Sequence, residues 1–429
     1  MRSHPVLAGL QEHGIKLGLE RIKQFLATLG DPHLAFPVIH IGGTNGKGSV
    51  CAMVTRALVE AGFRVGTNLS PHLEHINERF LIDGVPVDDA SLNEVLEAVD
   101  RARWDFAGGI GAAEAPLTYF EMVTSAAFLL FAQRAVDVAV IEVGLGGRLD
   151  ATNVVKPLVT GVVSIGLDHM DRLGETIPEI AGEKAGIFKR GVRAVIGNMP
   201  PEATAVFDER ARGLGIPLWR PGGQMRRERG RDGWRFSSPE GTVGPVRLAM
   251  EGLHQGANAA VAVGVLHQLR LAGIPVSDDA IAVGLREGRI AGRLERLAPK
   301  LLVDGAHNID GTRALAAFLT EQPRPGRRIL AFGCGEDRDP KTLIAPLLPL
   351  VDEVVAVTCD HPKARPSMDL ANALEGIDRD LSEGGRIEEV IAELLAESDE
   401  TIVAGSLYLV GALRTFVRGG GLAASAQDV

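Results

Sequence analysis

This chain is poor in cysteine, in aromatic residues and in positive charge. The three cysteines, Cys51, Cys334 and Cys359, are far apart and show no C-x-x-C spacing. That excludes a disulfide framework and a structural zinc site, and it fits a reducing compartment. The formal net charge is -10, so the molecule as a whole is not built to attract nucleic acid or anionic membrane. Any anionic ligand must be held by local positive groups. No apolar run approaches the ~18 residues of a membrane span, and the first residues lack a signal-peptide pattern. Together these absences predict a soluble cytoplasmic protein. Hydrophobic residues make up 45% of the chain although aromatics make up only 4%, so real cores can form from aliphatic side chains. A length of 429 residues predicts two or more domains.

What the chain has in abundance is glycine at one informative place. An apolar, β-rich run over residues 36–41 feeds a loop with Gly42, Gly43, Gly46 and Gly48 and a single lysine, Lys47. Glycines let backbone N–H groups turn inward and approach an anion closely. Val50, Met53, Val54, Ala57, Leu58 and Ala61 recur at three- and four-residue intervals, and Gly62 follows. This predicts a helix starting near Ser49 whose positive dipole end points at the loop. Lys47 adds a mobile cation that can follow a phosphate. The loop departs from G-x-x-x-x-G-K-[ST]: Ile41 stands where the first glycine belongs, and Gly48 follows the lysine. The alternative, a merely tight connection, does not account for strand, loop, lysine and helix in this order.

Strand-like runs over 136–143, 158–165, 301–303, 328–332, 353–357 and 401–404 alternate with helical patterns. The expected fold class is α/β, with a mostly parallel sheet in a P-loop-type N-terminal domain and a smaller, Rossmann-like C-terminal α/β domain. Residues 234–238 and 242–250, joined by Pro239-Glu240-Gly241, predict an antiparallel hairpin added to the first domain. The stretch 222–231 reads as a polar loop. Expected boundaries are 1–292, 293–418 and a disordered tail over 419–429, which is small and polar.

Polar residues stand where several of these strands end: Glu142, then Asp168 and His169, then Asp304 and His307, and, beyond the strand ending at Phe332, Asp337, Arg338 and Asp339. In open parallel sheets ligands bind beyond the carboxyl ends of strands. A buried glutamate at a strand end needs a compensating cation or donor. For Glu142 that is either Arg148 or a magnesium ion, and the upstream phosphate loop favours magnesium, which prefers oxygen ligands. His169 is less typical for that metal and reads equally as a hydrogen-bond donor. Lys184 lies in a helix opened by a Thr176–Glu179 capping box with Pro178 in its first turn. Spacing alone favours a surface lysine paired with Glu183 or Glu179.

The segments HIGGTNGKGS, LSPHLEHINERF, LTYFEMVT, IEVGLGGRLDATN, GLDHMDRLGETIPEIAGEKAGIFKRG, LHQGANAAVA, GRLE and VDGAHN occur in this order. Over roughly residues 20 to 410 the chain resembles the folylpolyglutamate synthase/dihydrofolate synthase family, a branch of the Mur ligase superfamily. The resemblance implies an ATP-dependent ligase that adds L-glutamate to dihydropteroate and/or tetrahydrofolate through an acyl phosphate. It implies that Thr44, Asn45, Gly46, Lys47, Gly48 and Ser49 hold the ATP phosphates. Asn258, Arg293 and Asp304 would contact the adenine nucleotide, and Ser49, Ser70, Glu142 and His169 would ligate magnesium, two ions being typical. His307 would lie near the incoming glutamate. Lys184, in EKAGI, resembles a lysine carbamylated by CO₂, which requires a lowered amine pKa. The family implies a monomer acting on small molecules, not on nucleic acid or membrane, and leaves a potassium ion open. Asp150, Ala151, Thr152 and residues 117–121, with Phe120 among the few aromatics, lie where a pterin would bind. Arg338 stands where the family often has lysine, and Arg365 is a further ligand-contact candidate. The rival readings are another Mur-type ligase acting on a cell-wall precursor and a non-catalytic P-loop switch. The first usually carries an extra N-terminal domain, for which residues 1–35 leave no room. The second has no need of Lys184, His169 and Asp304.

Overall fold

The computed structural model describes residues 4–8, 10, 18–109, 117–324 and 326–422. Two α/β units each wrap helices around a sheet. In the N-terminal unit eight strands run in the order Val85–Pro86, Phe80–Ile82, Val65–Asn68, Val138–Glu142, Val38–Gly42, Pro157–Val162, Arg193–Ile196 and Leu218–Trp219. The first two are antiparallel additions at one edge, and the other pairings are parallel. Val38–Gly42 and Val138–Glu142 are buried at every residue, which is why they read as continuous apolar runs rather than alternating ones. Both end at the same rim, with Ile41 opposite Glu142.

The C-terminal unit has six strands in the order Glu295–Ala298, Leu301–Val303, Glu400–Ala404, Arg328–Phe332, Glu353–Thr358 and Asp380–Arg386. Only Glu295–Ala298 is antiparallel to its neighbour. Aliphatic residues fill the cores of both units, as the composition requires.

The predicted hairpin forms, as Gly233–Ser238 and Gly241–Val246, but it is one part of a three-stranded sheet. The third strand, Arg226–Gly230, replaces the polar loop expected over 222–231. Its residues are almost all exposed and charged, so no apolar alternation marks it. Pairing with Gly233–Ser238, whose Phe236 is buried, creates it. This sheet closes on the helix Leu253–Leu271 at Gly256 and Gly264, where a Cβ would collide with Trp234 and Met225.

The helix expected near Ser49 spans Lys47–Glu60 and starts two residues earlier, because Gly46, at φ 83°, supplies the left-handed N-cap. The Thr176–Glu179 capping box is present and opens the helix Ile177–Ala185. Cys51, Cys334 and Cys359 are free and buried. No helix among the described residues is long and apolar enough to cross a membrane. Of the expected tail, residues 423–429 lie outside the described residues.

Candidate active site

The glycine loop leaves the strand Val38–Gly42 and is strapped to the segment after Pro157–Val162. Thr44 N donates to the Ser164 carbonyl at 2.8 Å, and Asn45 N donates to Ser164 Oγ at 3.0 Å. Gly46 has no room for a side chain: a Cβ there would meet Val163 Cγ1 at 2.9 Å and collide with the Asn258 amide. Asn258 is thereby placed against the loop, held by its own bond to Gln255 Oε1 at 2.9 Å. Lys47 Nζ rests on the Thr44 carbonyl at 3.2 Å, a weak tether that a phosphate can replace.

Glu142 closes the adjacent strand and is 4% exposed. Burial pushes its carboxyl pKa up, against the opposing pull of Lys47, the Ser70 amide and Arg293. Arg148 is not its partner, since that side chain reaches Glu183 at 2.8 Å near the surface. Glu142 Oε2 accepts the Ser70 amide at 2.9 Å, and Ser70 Oγ is buried with no hydrogen-bond partner. A Cβ on Gly48 would lie 3.9 Å from the same carboxylate oxygen, so the loop passes directly over Glu142. Ser49, the next residue, is buried. Among the described residues no group of three or more His, Cys, Asp or Glu side chains could hold a metal ion. The donor set is one carboxylate with serine hydroxyls, which suits a magnesium ion completed by phosphate oxygens and water. The structure brings Ser70 and Glu142 together. The His169 imidazole lies beside Asp168, with Nε2 3.9 Å from Oδ1, and is partly exposed.

Lys184 is not the surface lysine that spacing favours. Glu183 is taken by Arg148 and Glu179 by the Thr176 cap, and Lys184 points inward from its helix, 5% exposed. Its Nζ donates to the Gly43 carbonyl at 3.0 Å, inside the glycine loop. Burial, aided by the charge of Lys47, lowers its pKa to about 7.

The C-terminal unit completes the cleft. Asn45 and Asn308 exchange amide hydrogen bonds at 3.1 and 3.0 Å. Asn308 also donates to Asp168 Oδ2 at 2.9 Å, and its Oδ1 caps the helix Ile309–Glu321 by accepting the Gly311 amide. Arg338 Nη1 reaches Asp168 Oδ1 at 2.6 Å. Burial alone would raise the Asp168 pKa, but His169 and Arg338 outweigh it and hold the carboxyl well below its usual range. Arg365, a ligand-contact candidate, instead props this loop through the carbonyls of Glu336 and Arg338, at 2.8 and 2.9 Å.

His307 Nδ1 donates to the Gly305 carbonyl at 2.8 Å, which leaves Nε2 as the acceptor, 3.9 Å from Asp168. Burial lowers its pKa to about 4, so the ring is neutral at pH 7. Asp304 binds backbone: its oxygens accept the amides of Leu294 and Ala306, both at 2.8 Å. It therefore shapes the turn that presents Arg293, whose Nη1 lies 3.4 Å from the Gly305 carbonyl. Asp150 likewise accepts the Leu145 and Thr152 amides and packs its loop beside Phe120, whose ring fills the space a Cβ would need on Gly144.

Asn308, and the pairing of Asp168 with Arg338, are what motif reading did not assign. Replacing Asn308 with Ala is expected to cost about 1–2 kcal/mol, through the lost cap and the lost amide pair. It should also weaken ADP binding, because Asn45 loses its partner. Calorimetry and nucleotide titration check this; unchanged ADP affinity would limit Asn308 to capping.

Residues 41–266 match the Mur ligase middle domain, and residues 292–407 match the Mur ligase glutamate ligase domain. The dihydrofolate synthase/folylpolyglutamate synthase of Bacillus subtilis (strain 168) is 34% identical over 431 residues, covering 95% of this chain and 96% of that protein. The solved structure of Escherichia coli FolC in complex with DHPP and ADP superposes with a TM-score of 0.86 at 31% identity, covering 96% of each chain. The bifunctional folylpolyglutamate synthase/dihydrofolate synthase of Yersinia pestis, complexed with AMPPNP and Mn ion, gives 0.84 at 32% identity, also covering 96% of each chain.

Proposed function

We infer the reaction from one premise: the chain belongs to the dihydrofolate synthase/folylpolyglutamate synthase family of Mur ligases. It is an ATP-dependent ligase that adds L-glutamate to dihydropteroate and/or tetrahydrofolate through an acyl phosphate. A carboxylate is a poor electrophile because its charge is delocalised. Transfer of the ATP γ-phosphoryl group creates a phosphate leaving group, which the glutamate amine then displaces. The protein's work is positioning and charge neutralisation.

The observation that carries this reading is a convergence on one phosphate loop. Lys184 of the N-terminal unit touches Gly43, and Asn308 of the C-terminal unit touches Asn45. A nucleotide switch needs neither. Thr44, Asn45, the amides of Gly46 and Gly48, Lys47 and Ser49 would hold the ATP phosphates, while Asn258, Arg293 and the turn set by Asp304 would hold the rest of the nucleotide. Ser49, Ser70, Glu142 and His169 would hold two magnesium ions. Bound there, magnesium would neutralise charge on the phosphate oxygens. His307 Nε2 would accept a hydrogen bond from the incoming amine. Phe120 and the loop of Asp150, Ala151 and Thr152 would receive the pterin.

Lys184 would carry a carbamate: its half-neutral amine beside the loop supports that chemistry, since only a neutral amine adds CO₂. We place the domain boundary at 292/293 and read the protein as a cytoplasmic monomer that needs neither nucleic acid nor membrane. Its net charge of -10 and free cysteines support that reading. A potassium ion as further cofactor has no residue in the site that specifically argues for it.

The test is glutamate-dependent ADP release with dihydropteroate, tetrahydrofolate or a cell-wall nucleotide as acceptor. Release with either pterin is expected; release with the cell-wall nucleotide alone would overturn the reading. Within the site, Glu142→Gln keeps shape but removes the charge. The magnesium concentration for half-maximal rate should rise by about 10-fold or more. An unchanged magnesium dependence would make Glu142 a structural residue.

A further inference from the structure

The loop that carries Ser70 is fastened at its far end to the C-terminal unit. Leu73 is buried in that unit's apolar cluster, with Leu301, Val303, Leu409, Val410 and Leu413. Its carbonyl lies against Gly411, where a Cβ would collide, so the helix Leu407–Arg418 sits directly on the loop. The next residue, Glu74, accepts from Arg414 Nε at 3.1 Å, and Arg418 Nη1 lies 3.4 Å away. The side chains of Glu74 and Arg414 are only 7% and 2% exposed. Arg414 then forks. Its Nη1 pairs with Glu295, whose Oε2 accepts the Gly292 amide at 2.7 Å, immediately before Arg293.

One guanidinium thus grips both the docked loop at Glu74 and, through Glu295, the segment at Gly292 that joins the units. The loop between grip and site is stiff, because Glu78 accepts the amides of Leu73, Glu74 and His75 at 2.7, 2.9 and 2.9 Å. At its front end the Ser70 amide reaches Glu142. A triad in which Glu74 and Arg414 are buried and Glu295 is partly exposed is weak ground for stability by itself, since desolvation and solvent screening offset much of the attraction. An apolar contact would staple the units at least as well. A planar fork, however, fixes two carboxylates in one geometry.

We propose that Arg414 is a positioning residue of the ligase, setting the Ser70–Glu142 end and the Arg293 end of the cleft together from the last helix. Through Glu74 it holds the metal end, and through Glu295 it holds the nucleotide end. This rests on the reading of Ser70 and Glu142 as magnesium ligands.

The two arms can be read separately in the full-length protein without turnover. Mn²⁺ binding is measured by electron paramagnetic resonance at ADP concentrations that saturate each variant, and ADP binding by calorimetry without metal. No pterin or glutamate is added. Glu74→Gln is expected to weaken Mn²⁺ binding about 10-fold, the range for residues that orient a ligand, and to leave metal-free ADP affinity near wild type. Glu295→Gln should do the reverse. Arg414→Lys should do both, because a flexible ammonium does not hold two carboxylates in the fixed geometry of a planar fork. The glutamine variants keep side-chain shape and hydrogen-bonding oxygens, so they should fold, and melting curves check that. If both lower the melting temperature yet keep wild-type Mn²⁺ and ADP affinities, the triad is only a staple and the proposal is overturned. Glu142→Gln is the reference: weaker Mn²⁺ binding there without any change in Glu74→Gln overturns the coupling alone. Unchanged Mn²⁺ binding in Glu142→Gln overturns the metal reading and the proposal with it.

Discussion

Lys47→Ala is expected to fold normally and to lose about 10²-fold or more in turnover. Lys47 opens the helix Lys47–Glu60, and its ammonium makes one bond, to the Thr44 carbonyl, so little stability depends on it. Its charge matters more. It is the leading counterweight to the burial of Glu142, and it helps depress the Lys184 pKa. Removing it withdraws a cation from the transferred phosphoryl group, in a site where charge stabilisation is the main catalytic effect. Steady-state ADP release and a melting curve together check the expectation. Near-normal ligase activity in a well-folded variant would remove the phosphate-loop assignment.

The second large effect concerns Lys184, whose replacement by Ala should leave almost no activity. The amine is buried against Gly43 with a pKa near 7, so its neutral fraction grows as pH rises through 7. Carbamylation joins that neutral nitrogen to the carbon of CO₂ and releases one proton. Occupancy should therefore rise with pH and with dissolved CO₂, and fall below pH 7 as the ammonium forms. The carbamate nitrogen would keep an N–H for the Gly43 carbonyl. A small acid such as acetate, entering the space vacated in Lys184→Ala, should restore part of the rate. The deciding measurement is ¹³C resonance or intact mass under labelled CO₂. An unmodified ammonium in a fully active enzyme with ATP and magnesium bound would return Lys184 to a purely structural role, despite its burial.

Much of this protein is legible without coordinates because its strongest signals are local. A glycine loop between an apolar run and an amphipathic helix needs no distant partner to be recognised. The Thr176–Glu179 cap and the polar residues at strand ends, Glu142 and Asp168 among them, are equally local. Each depends on residues within a few positions of one another, where periodicity and backbone sterics are decisive.

Other assignments depended on which faces meet. Spacing favoured Glu183 or Glu179 as the partner of Lys184, and only packing turned that helix face toward Gly43. Residues 226–230 have no strand signal of their own and become one by pairing with Gly233–Ser238. Asn308 carried no assigned role, yet its amide reaches the glycine loop at Asn45, 263 residues away in the chain. Leu73, a lone apolar residue in a polar loop, belongs to the core of the other unit. By itself, then, the sequence determined the fold class and the glycine loop between strand and helix, because these are written in short-range pattern, while the folate-ligase chemistry came through the resemblance of its ordered motifs to a family. The tertiary structure alone decided what Lys184, Asn308, Leu73 and Arg414 touch. A side chain's partner across a domain cleft is set by how two folded surfaces meet, and no local spacing encodes that.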